Sequence, residues 1–278
     1  MQYNYFDIHS HFNLPQFAPD LLSAVTNMQQ HGVGTICVGV DLASSEQAIK
    51  IADEYANIFA TVGMHPTDTD EAFVIDEYRK LLAHKKVVAI GECGLDYFRS
   101  TNVEVDRARQ GAIFREHIVL AKESGKPLMI HARPSKGTMD AYEEVLEILE
   151  AESSSHHPAS QSLGTPPQAG GETLHANFHF FVGNLEIAKR IVENGWTMSF
   201  DGPITFSTDY DEIIKYLPLE NIMAETDAPF AAPAPYRGKR CEPWMVEEVY
   251  KKIAQIKGLP LPDVTEAIQE NIKRVFKI

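Results

Sequence analysis

The fold is decided by a stretch close to the start of the chain, Tyr5-Phe6-Asp7-Ile8-His9-Ser10-His11. Apolar residues lead into two histidines separated by one residue, and residues two apart in a β-strand point to the same face, about 6.5–7 Å apart along the strand. Two imidazoles placed in this way at the end of a strand can bind one divalent ion. Because a His-x-His pair is also common without a metal, its interpretation depends on partners elsewhere in the chain.

Short strand-like runs alternate with longer amphipathic runs along the 278 residues. Strands are predicted at Tyr5–His11, Thr35–Asp41, Phe59–His65, Val87–Asp96, Pro127–Arg133, Leu174–Phe181, Trp196–Gly202 and Ile222–Pro229. Helices are predicted at Pro19–His31, Ser44–Asn57, Ile75–His84, Val103–Ser124, Thr138–Glu150, Leu185–Asn194, Asp209–Tyr216, Pro243–Lys257 and Pro262–Phe276. The alternation indicates βα units and a parallel sheet. Eight units in a chain of this length predict an α/β fold, a (β/α)8 TIM barrel that forms a single domain over residues 1–278. A doubly wound open sheet is the alternative, but it does not require a polar residue at the end of nearly every strand.

One segment, residues 150–173, interrupts this alternation. It is rich in serine, proline and glycine, a composition that cannot form a packed core, so we predict a flexible loop insertion there. His156 and His157 lie within it, and a histidine pair in such a loop is usually exposed to solvent. We therefore leave both residues out of the predicted site.

Composition limits the classes of protein to which the chain can belong. The net charge of −14 does not favour non-specific nucleic-acid binding, which needs a basic surface, although it leaves open a nucleic-acid enzyme whose site is locally basic. Three scattered cysteines argue against a disulfide framework and suit a reducing compartment. No apolar run is long enough for a spanning helix and no secretory signal is visible. These features predict a cytoplasmic protein with no membrane association, and no obligate protein partner is evident.

Most of the predicted strands end in residues that can bind a metal ion or a substrate. They are His9 and His11 after strand one, His65 after strand three, Glu92 in strand four, His131 and Arg133 at the end of strand five, His179 after strand six, and Asp227 after strand eight. In a parallel barrel the catalytic groups come from these carboxyl ends of the strands. Without His65, four histidines and two carboxylates converge there and predict a nitrogen and oxygen site for one or two divalent metals.

Three of these residues need a separate argument. Glu92 lies in an apolar strand between two glycines, and because a buried unpaired glutamate is rare, we predict that it is a metal ligand. His175 and His179 share one face of strand six, but His175 lies about 13 Å deeper along the strand, so His179 is the predicted ligand. His65 either shapes the pocket or contacts the substrate.

Taken together, the chain resembles the TatD family of metal-dependent deoxyribonucleases over nearly its full length. The shared motifs are Asp7-x-His9-x-His11, Gly63-x-His65-Pro66, Gly91-Glu92-x-Gly94-Leu95-Asp96-Tyr97, His131-x-Arg133, Glu225-Thr226-Asp227-x-Pro229, and Pro235-Tyr236-Arg237-Gly238-Lys239-Arg240 followed by Glu242-Pro243. The resemblance implies a TIM barrel of the amidohydrolase type that binds two divalent ions. It also implies hydrolysis of phosphodiester bonds in DNA, typically from the 3′ end.

The same resemblance assigns roles to the residues at the strand ends. It implies that the first metal is bound by His9, His11 and Asp227, that Glu92 bridges the two metals, and that His131 and His179 complete the second site. Imidazole and carboxylate ligands of this kind accept Zn²⁺ or Mn²⁺, and Mg²⁺ when it is in excess, so the identity of the ions stays open.

Catalytic and substrate-binding roles follow from these ligands. Asp227 is the predicted general base, and Glu92 is the second predicted catalytic residue. Phosphate contacts are predicted for Arg133, Tyr236, Arg237 and Arg240, because guanidinium groups suit phosphate oxygens. For Arg237 and Arg240 a surface ion pair is the alternative. Two other functions stay open: a metal-dependent amidohydrolase-type enzyme that acts on a small molecule or an aminoacyl ester, and a non-enzymatic metal-binding protein.

Overall fold

Eight parallel strands form the centre of the structure, a computed structural model that describes residues 3–68, 72–100, 102–154 and 174–278. The strands are β1 (Tyr5–Ser10), β2 (Val33–Cys37), β3 (Ile58–Val62), β4 (Val87–Asp96), β5 (Leu128–Arg133), β6 (Ala176–Phe178), β7 (Thr197–Phe200) and β8 (Ile222–Ala224). Each strand pairs in parallel with the next one along the chain. The predicted (β/α)8 barrel is therefore confirmed, and the doubly wound alternative is wrong because the strand order follows the sequence without reversing.

The barrel closes between the first strand and the segment that follows the last one. Ser10 pairs in parallel with Ala228, the backbone N–H of His11 donates to the carbonyl of Ala228 at 2.7 Å, and that of Asp227 donates to the carbonyl of His9 at 2.9 Å. These hydrogen bonds join the two ends of the sheet at the level of the predicted metal ligands. Closure of the barrel and assembly of the site therefore occur at the same place.

Helices surround the barrel and cover the apolar outer surface of the strands. The described residues contain α1 (Leu21–Gln30), α2 (Leu42–Glu54), α3 (Ile75–Leu82), α4 (Val103–Ser124), α5 (Asp140–Ser154), α6 (Leu185–Glu193), α7 (Asp211–Tyr216), α8 (Val246–Lys257) and α9 (Leu261–Phe276), with 3₁₀ turns at Gly202–Thr205, Leu219–Asn221 and Pro243–Met245. None of these helices has both the length and the apolar character needed to cross a membrane.

Helix α2 shows how the sequence begins a helix directly after a strand. The side chain of Asp41 accepts the backbone N–H of Ser44 at 2.6 Å, and the Ser44 hydroxyl accepts the backbone N–H of Asp41 at 2.9 Å. This reciprocal cap satisfies two donors that have no partner within the helix and stabilises it by about 1 kcal/mol. It also fixes the loop after β2, where Asp41 faces the cavity described below.

The strands are shorter at their carboxyl ends than the sequence predicted. The predicted strand Ile222–Pro229 ends at Ala224, and the predicted strand Leu174–Phe181 spans only Ala176–Phe178. The apolar pattern that predicted these strands extends into residues that no longer pair with the neighbouring strand. Their backbone turns across the end of the barrel instead. One sign of this turn is the left-handed backbone of Asp227, with φ 54°, which a residue other than glycine rarely adopts.

The predicted insertion begins later than proposed. Helix α5 extends to Ser154, so residues 150–154 are helical rather than part of a loop. The sequence Glu147–Ser154 retains good helix formers beyond the predicted end at Glu150, which explains the extension. The remainder of the predicted insertion, residues 155–173, lies outside the described residues together with His156 and His157.

Candidate metal centre

One group of ligand atoms lies where β1 meets the end of β8. His9 Nε2 is 3.2 Å from His11 Nε2 and 3.4 Å from Glu92 Oε2. Asp227 Oδ1 is 3.3 Å from His11 Nε2 and 3.8 Å from His9 Nε2. Three of these side chains are almost completely buried and Asp227 is only slightly exposed. We call His9, His11, Asp227 and the Oε2 atom of Glu92 the first cluster.

A second group lies on the side of β4, β5 and β6. Glu92 Oε1 is 2.8 Å from both His131 Nδ1 and His179 Nε2, and 3.4 Å from His65 Nε2. His65 Nε2 and His131 Nδ1 are separated by 3.3 Å. We call His65, His131, His179 and Glu92 Oε1 the second cluster. From the sequence, His65 is expected to shape the pocket or contact the substrate, whereas the structure places its ring among these ligand atoms.

Glu92 lies between the two clusters and presents one carboxylate oxygen to each. Burial alone would raise the pKa of Glu92, but the charges of His179 and His65 and the hydrogen bonds from His131 and His179 hold it well below its usual range. The carboxyl group is therefore ionised in the folded protein, which is the state in which it binds cations. The glycines beside it allow close approach of the next strand, because a Cβ at Gly91 or Gly94 would collide with the carbonyl groups of Met129 and His131.

Carboxylates behind the clusters orient two of the histidines. Asp96 Oδ2 accepts His131 Nε2–H at 3.0 Å, which leaves Nδ1 of that ring as the nitrogen that can bind a metal ion. Glu225 Oε1 is 3.4 Å from His179 Nδ1 and accepts the backbone N–H of Phe180 at 2.5 Å. A carboxylate that accepts a proton from a metal-binding histidine, as Asp96 does, fixes the tautomer of that ring and increases its basicity. Glu225 acts on His179 through its charge, since His179 Nδ1 has no hydrogen-bond partner among the described residues.

Glu225 belongs to a buried chain of hydrogen bonds that runs across three strands. Its Oε2 atom accepts the Ser199 hydroxyl at 2.6 Å, Ser199 Oγ accepts from Asn177 Nδ2 at 2.9 Å, and Asn177 Oδ1 accepts the Thr197 hydroxyl at 2.9 Å. All four side chains are almost completely buried. Because each side chain in this network forms a hydrogen bond with the next one, the position of Glu225 behind His179 is fixed.

Asp7 supports the first cluster from below. It accepts the backbone N–H and the hydroxyl of Thr226 at 2.9 and 2.7 Å, and the backbone N–H of His9 at 3.1 Å. Burial raises the pKa of Asp7 well above its usual value, although the hydrogen bonds from Thr226 and His9 oppose this effect. These bonds link β1 to the segment after β8 one residue away from Asp227.

The clusters open into a cavity of about 600 Å³. Arg133 lies in its wall, with its guanidinium carbon 4.2 Å from the centre of the Phe98 ring. Other wall residues are Leu14, Val40, Asp41, Thr67, Asp68, Phe180, Val182 and Phe230. The floor of the cavity is thus a charged cluster, whereas its walls carry apolar side chains, one arginine and two aspartates.

The structure does not place the other three predicted substrate contacts in this wall. Arg240 forms a bidentate ion pair with Asp20 at 2.7 Å, which is the alternative left open by the sequence. The guanidinium carbon of Arg237 lies 3.8 Å from the Phe206 ring, and Tyr236 packs against Trp244. Substrate contact by Tyr236, Arg237 and Arg240 stays a prediction. His175 lies at the opposite end of the barrel, beside Lys126 and Lys277.

Sequence reasoning gave no role to one carboxylate close to the site. Asp201 follows β7, is buried, and has an oxygen with no hydrogen-bond partner among the described residues. Burial raises its pKa well above the usual value, and the charges of Glu225 and Asp227 raise it further. A carboxylate directly after an apolar strand was the signal that identified Asp227, and the same signal was present at Ser199-Phe200-Asp201.

The geometry of both clusters fits divalent metal ions. Metal–ligand bonds of about 2.0–2.1 Å at tetrahedral angles place neighbouring ligand atoms about 3.3–3.4 Å apart. Most of the separations within the two clusters, from 3.2 to 3.4 Å, match this spacing. The unprotonated Nε2 atoms of His9 and His11 would repel each other at 3.2 Å unless a cation or proton lies between them. A group formed by His9, His179 and Glu225 also has ligand spacing, but Glu225 faces Nδ1 of His179, which carries a proton when Nε2 of that ring binds a metal.

A closed (β/α)8 barrel with histidines and carboxylates at the carboxyl ends of its strands defines the class of metal-dependent hydrolase barrels. The chain matches the family model described as TatD related DNase over residues 6–277 and belongs to this family. It is 34% identical over 278 residues to the uncharacterized metal-dependent hydrolase YabD of Bacillus subtilis, covering 98% of this chain and 99% of that protein. It is 30% identical over 285 residues to the 3′-5′ ssDNA/RNA exonuclease TatD of Escherichia fergusonii, with 98% and 99% coverage.

Solved structures support the fold. The crystal structure of YJJV, a TatD homolog from Escherichia coli K12, superimposes with a TM-score of 0.83 at 23% identity and covers 99% of this chain and 98% of that one. The resemblance found in the sequence is therefore confirmed, and the chain is a member of a family of metal-dependent hydrolases.

Proposed function

We propose that this protein uses two divalent metal ions to hydrolyse phosphodiester bonds in DNA, removing nucleotides from the 3′ end of a strand. The observation that carries the proposal is the position of Glu92, whose two oxygens each face a separate group of histidines at 2.8–3.4 Å. A carboxylate shared in this way suits two ions that act together on one phosphate. The activity named for the relative from Escherichia fergusonii supports the same substrate class.

The residues divide the work of the reaction. When bound, divalent ions at the two clusters supply Lewis-acid chemistry: they neutralise phosphate oxygens and acidify the attacking water. Asp227 is both a first-cluster residue and part of the cavity wall, so its carboxylate is placed to accept the proton of that water. Arg133 donates to a non-bridging phosphate oxygen from the wall. Five histidines would bind the ions, and the neighbouring carboxylates keep the imidazole rings in position. These histidines are His9, His11, His65, His131 and His179.

A labelled-strand assay tests the proposal. Single-stranded oligonucleotides labelled at the 3′ or the 5′ end are incubated with Mn²⁺ or Mg²⁺, and with EDTA. We expect a metal-dependent ladder in which the 3′ label is released first, a decrease of at least about 100-fold in rate for Asp227→Asn, and no turnover for Glu92→Ala. Absence of cleavage with any divalent ion, in protein that is shown to bind metal, would favour a small-molecule or aminoacyl ester substrate instead.

Circular dichroism and metal analysis are the controls for these variants. Asp227→Asn keeps the shape of the side chain, so a loss of activity in folded protein that retains metal assigns the proton transfer to this carboxylate. Retention of most activity by folded Glu92→Ala protein would disprove the bridging role.

A further inference from the structure

The phenylalanines exposed in the described part of the chain are concentrated at one end of the barrel. Phe98, Phe206 and Phe230 are 50%, 43% and 47% exposed, and the other described phenylalanines are buried or partly buried. Each of the three lies in a segment that follows the carboxyl end of a strand, namely β4, β7 and β8. Exposed aromatic rings gathered around a catalytic cavity indicate binding of a partly apolar, planar ligand.

Two of these rings flank the metal centre from opposite sides. Because the barrel has eight strands in sequential order, the segments after β4 and β8 lie across the barrel mouth from each other. Phe230 lines the cavity, with its ring centre 6.3 Å from that of His11 in the first cluster. Phe98 is linked to the second cluster through Asp96, which accepts both the Phe98 backbone N–H and His131 Nε2–H at 3.0 Å.

A positive charge accompanies the ring beside the second cluster. The guanidinium group of Arg133 lies over Phe98 and also faces the cavity. It forms no ion pair with any residue that the structure describes, although the chain carries 39 acidic residues. A planar guanidinium stacked on a ring offers an extended surface for a base and a donor for phosphate.

We infer that Phe230 and the Phe98–Arg133 pair are two base-stacking sites on opposite sides of the metal centre. They bind the unpaired bases that flank the scissile phosphate of a single strand. The inference rests on the proposed function, since it assigns the form of the nucleic-acid substrate. Stacking needs a base with a free face, which a base inside a duplex does not offer, so these sites select single strands over duplex DNA.

The test combines changes in the protein with removal of bases from the DNA. Binding is measured by fluorescence anisotropy in the Asp227→Asn background, and KM is measured in the active enzyme. The ligands are a single-stranded oligonucleotide and the same strand with abasic residues on both sides of its last linkage. We expect Phe98→Ala and Phe230→Ala each to raise Kd and KM for the intact strand roughly 5- to 150-fold, the range measured for stacking of one base.

Abasic DNA and conservative variants separate stacking from a general loss of structure. Neither alanine variant weakens binding of the abasic strand, because the base that would stack is absent. Phe98→Tyr and Phe230→Tyr keep Kd within about threefold, since tyrosine also stacks on bases. Tyr216→Ala is the matched control: Tyr216 is 45% exposed and has Lys189 5.8 Å from its ring, but it lies just before β8, at the other end of the barrel. It leaves Kd and KM unchanged.

The outcomes distinguish this inference from the proposed function. One outcome is that the wild-type protein cleaves oligonucleotides and the alanine variants bind and cleave the intact and the abasic strand as well as the wild type. The proposed stacking sites are then wrong, whereas the proposed nuclease activity is retained. An equal loss on intact and abasic strands also overturns the stacking sites. If the wild-type protein cleaves no oligonucleotide but the variants lose base-dependent binding, the stacking sites are supported and the proposed hydrolysis is wrong.

Discussion

Substitutions of Glu225 test how one buried carboxylate affects metal binding and how it affects the stability of the fold. Its oxygens accept the Phe180 N–H at 2.5 Å and the Ser199 hydroxyl at 2.6 Å, and one of them faces His179 Nδ1 at 3.4 Å. In Glu225→Gln the remaining oxygen still accepts from Phe180, but the new amide is a donor, so the Ser199 hydroxyl proton loses its acceptor while Ser199 Oγ still accepts from Asn177 Nδ2. We therefore expect a loss of unfolding free energy of about 1–3 kcal/mol, the cost of one buried donor without an acceptor.

The same substitution should also weaken metal binding. A neutral amide removes the negative charge that faces His179 Nδ1 at 3.4 Å, so the imidazole becomes a weaker ligand. Changes to such supporting carboxylates lower metal affinity by about 10- to 100-fold, which corresponds to about 1.4–2.7 kcal/mol. Glu225→Ala should lose both properties, because it leaves two buried donors without an acceptor, at about 1–3 kcal/mol each.

Two measurements that start from metal-free protein test the predicted effects of Glu225→Gln and Glu225→Ala. Urea unfolding gives the stability, and competition with a chromogenic chelator gives the affinity for Zn²⁺. Glu116→Gln is the matched control, since Glu116 is exposed on α4 and undergoes the same chemical change far from the site. If Glu225→Gln binds zinc as tightly as the wild type, the carboxylate does not act through His179. A loss of stability as large as that of Glu225→Ala would mean that the network does not accept the amide.

Three further predictions concern the residues that support the site. Asp7→Ala should lower the unfolding free energy by more than about 3 kcal/mol, because three buried donors lose their acceptor; a loss below about 1 kcal/mol in urea unfolding would contradict this. Burial lowers the pKa of His117 to about 4, and its neutral Nε2 accepts the Met64 N–H at 3.0 Å. The stability that neutral His117 contributes is therefore fully present above the unfolded pKa of about 6.5 and is lost as the pH falls toward 4. Between about pH 7 and 4.5, the unfolding free energy of metal-free wild-type protein should fall by about 2–3 kcal/mol more than that of His117→Gln. Equal slopes of unfolding free energy against pH for the two proteins would refute this. Arg240→Ala should cost up to about 1 kcal/mol in thermal unfolding and leave KM for DNA unchanged, whereas a raised KM would support the phosphate contact predicted from the sequence.

The residues at the strand ends could be predicted because the signal is local. A histidine or carboxylate after a short apolar run is more often functional than structural, and this reasoning selected the residues His9, Glu92, His131, His179 and Asp227, which the structure brings together. The alternation of strands and helices predicted the barrel for the same reason, since each βα unit is encoded within about 30 residues.

The supporting residues could not be assigned roles because their partners are distant in the sequence. Asp96 meets His131 across 35 residues, and Asp7 meets Thr226 across 219 residues. The ion pair of Arg240 with Asp20 spans 220 residues, so a positive residue near the predicted site looked like a substrate contact. Such pairings depend on the register and closure of the barrel, which no local pattern specifies.

Some residues of the two clusters, such as His9 and His131, lie within their strands, and others lie just beyond the strand ends. Five residues of the two clusters donate a backbone N–H to a carbonyl of an adjacent segment, at 2.7–3.0 Å: His11 to Ala228, His65 to Val40, Glu92 to Gly39, His179 to Ile130 and Asp227 to His9. Each ligand backbone is therefore fixed by the barrel itself rather than by a free loop. Since a site held on rigid elements binds ions with little reorganisation, the closure of the barrel is itself what positions the metal centre.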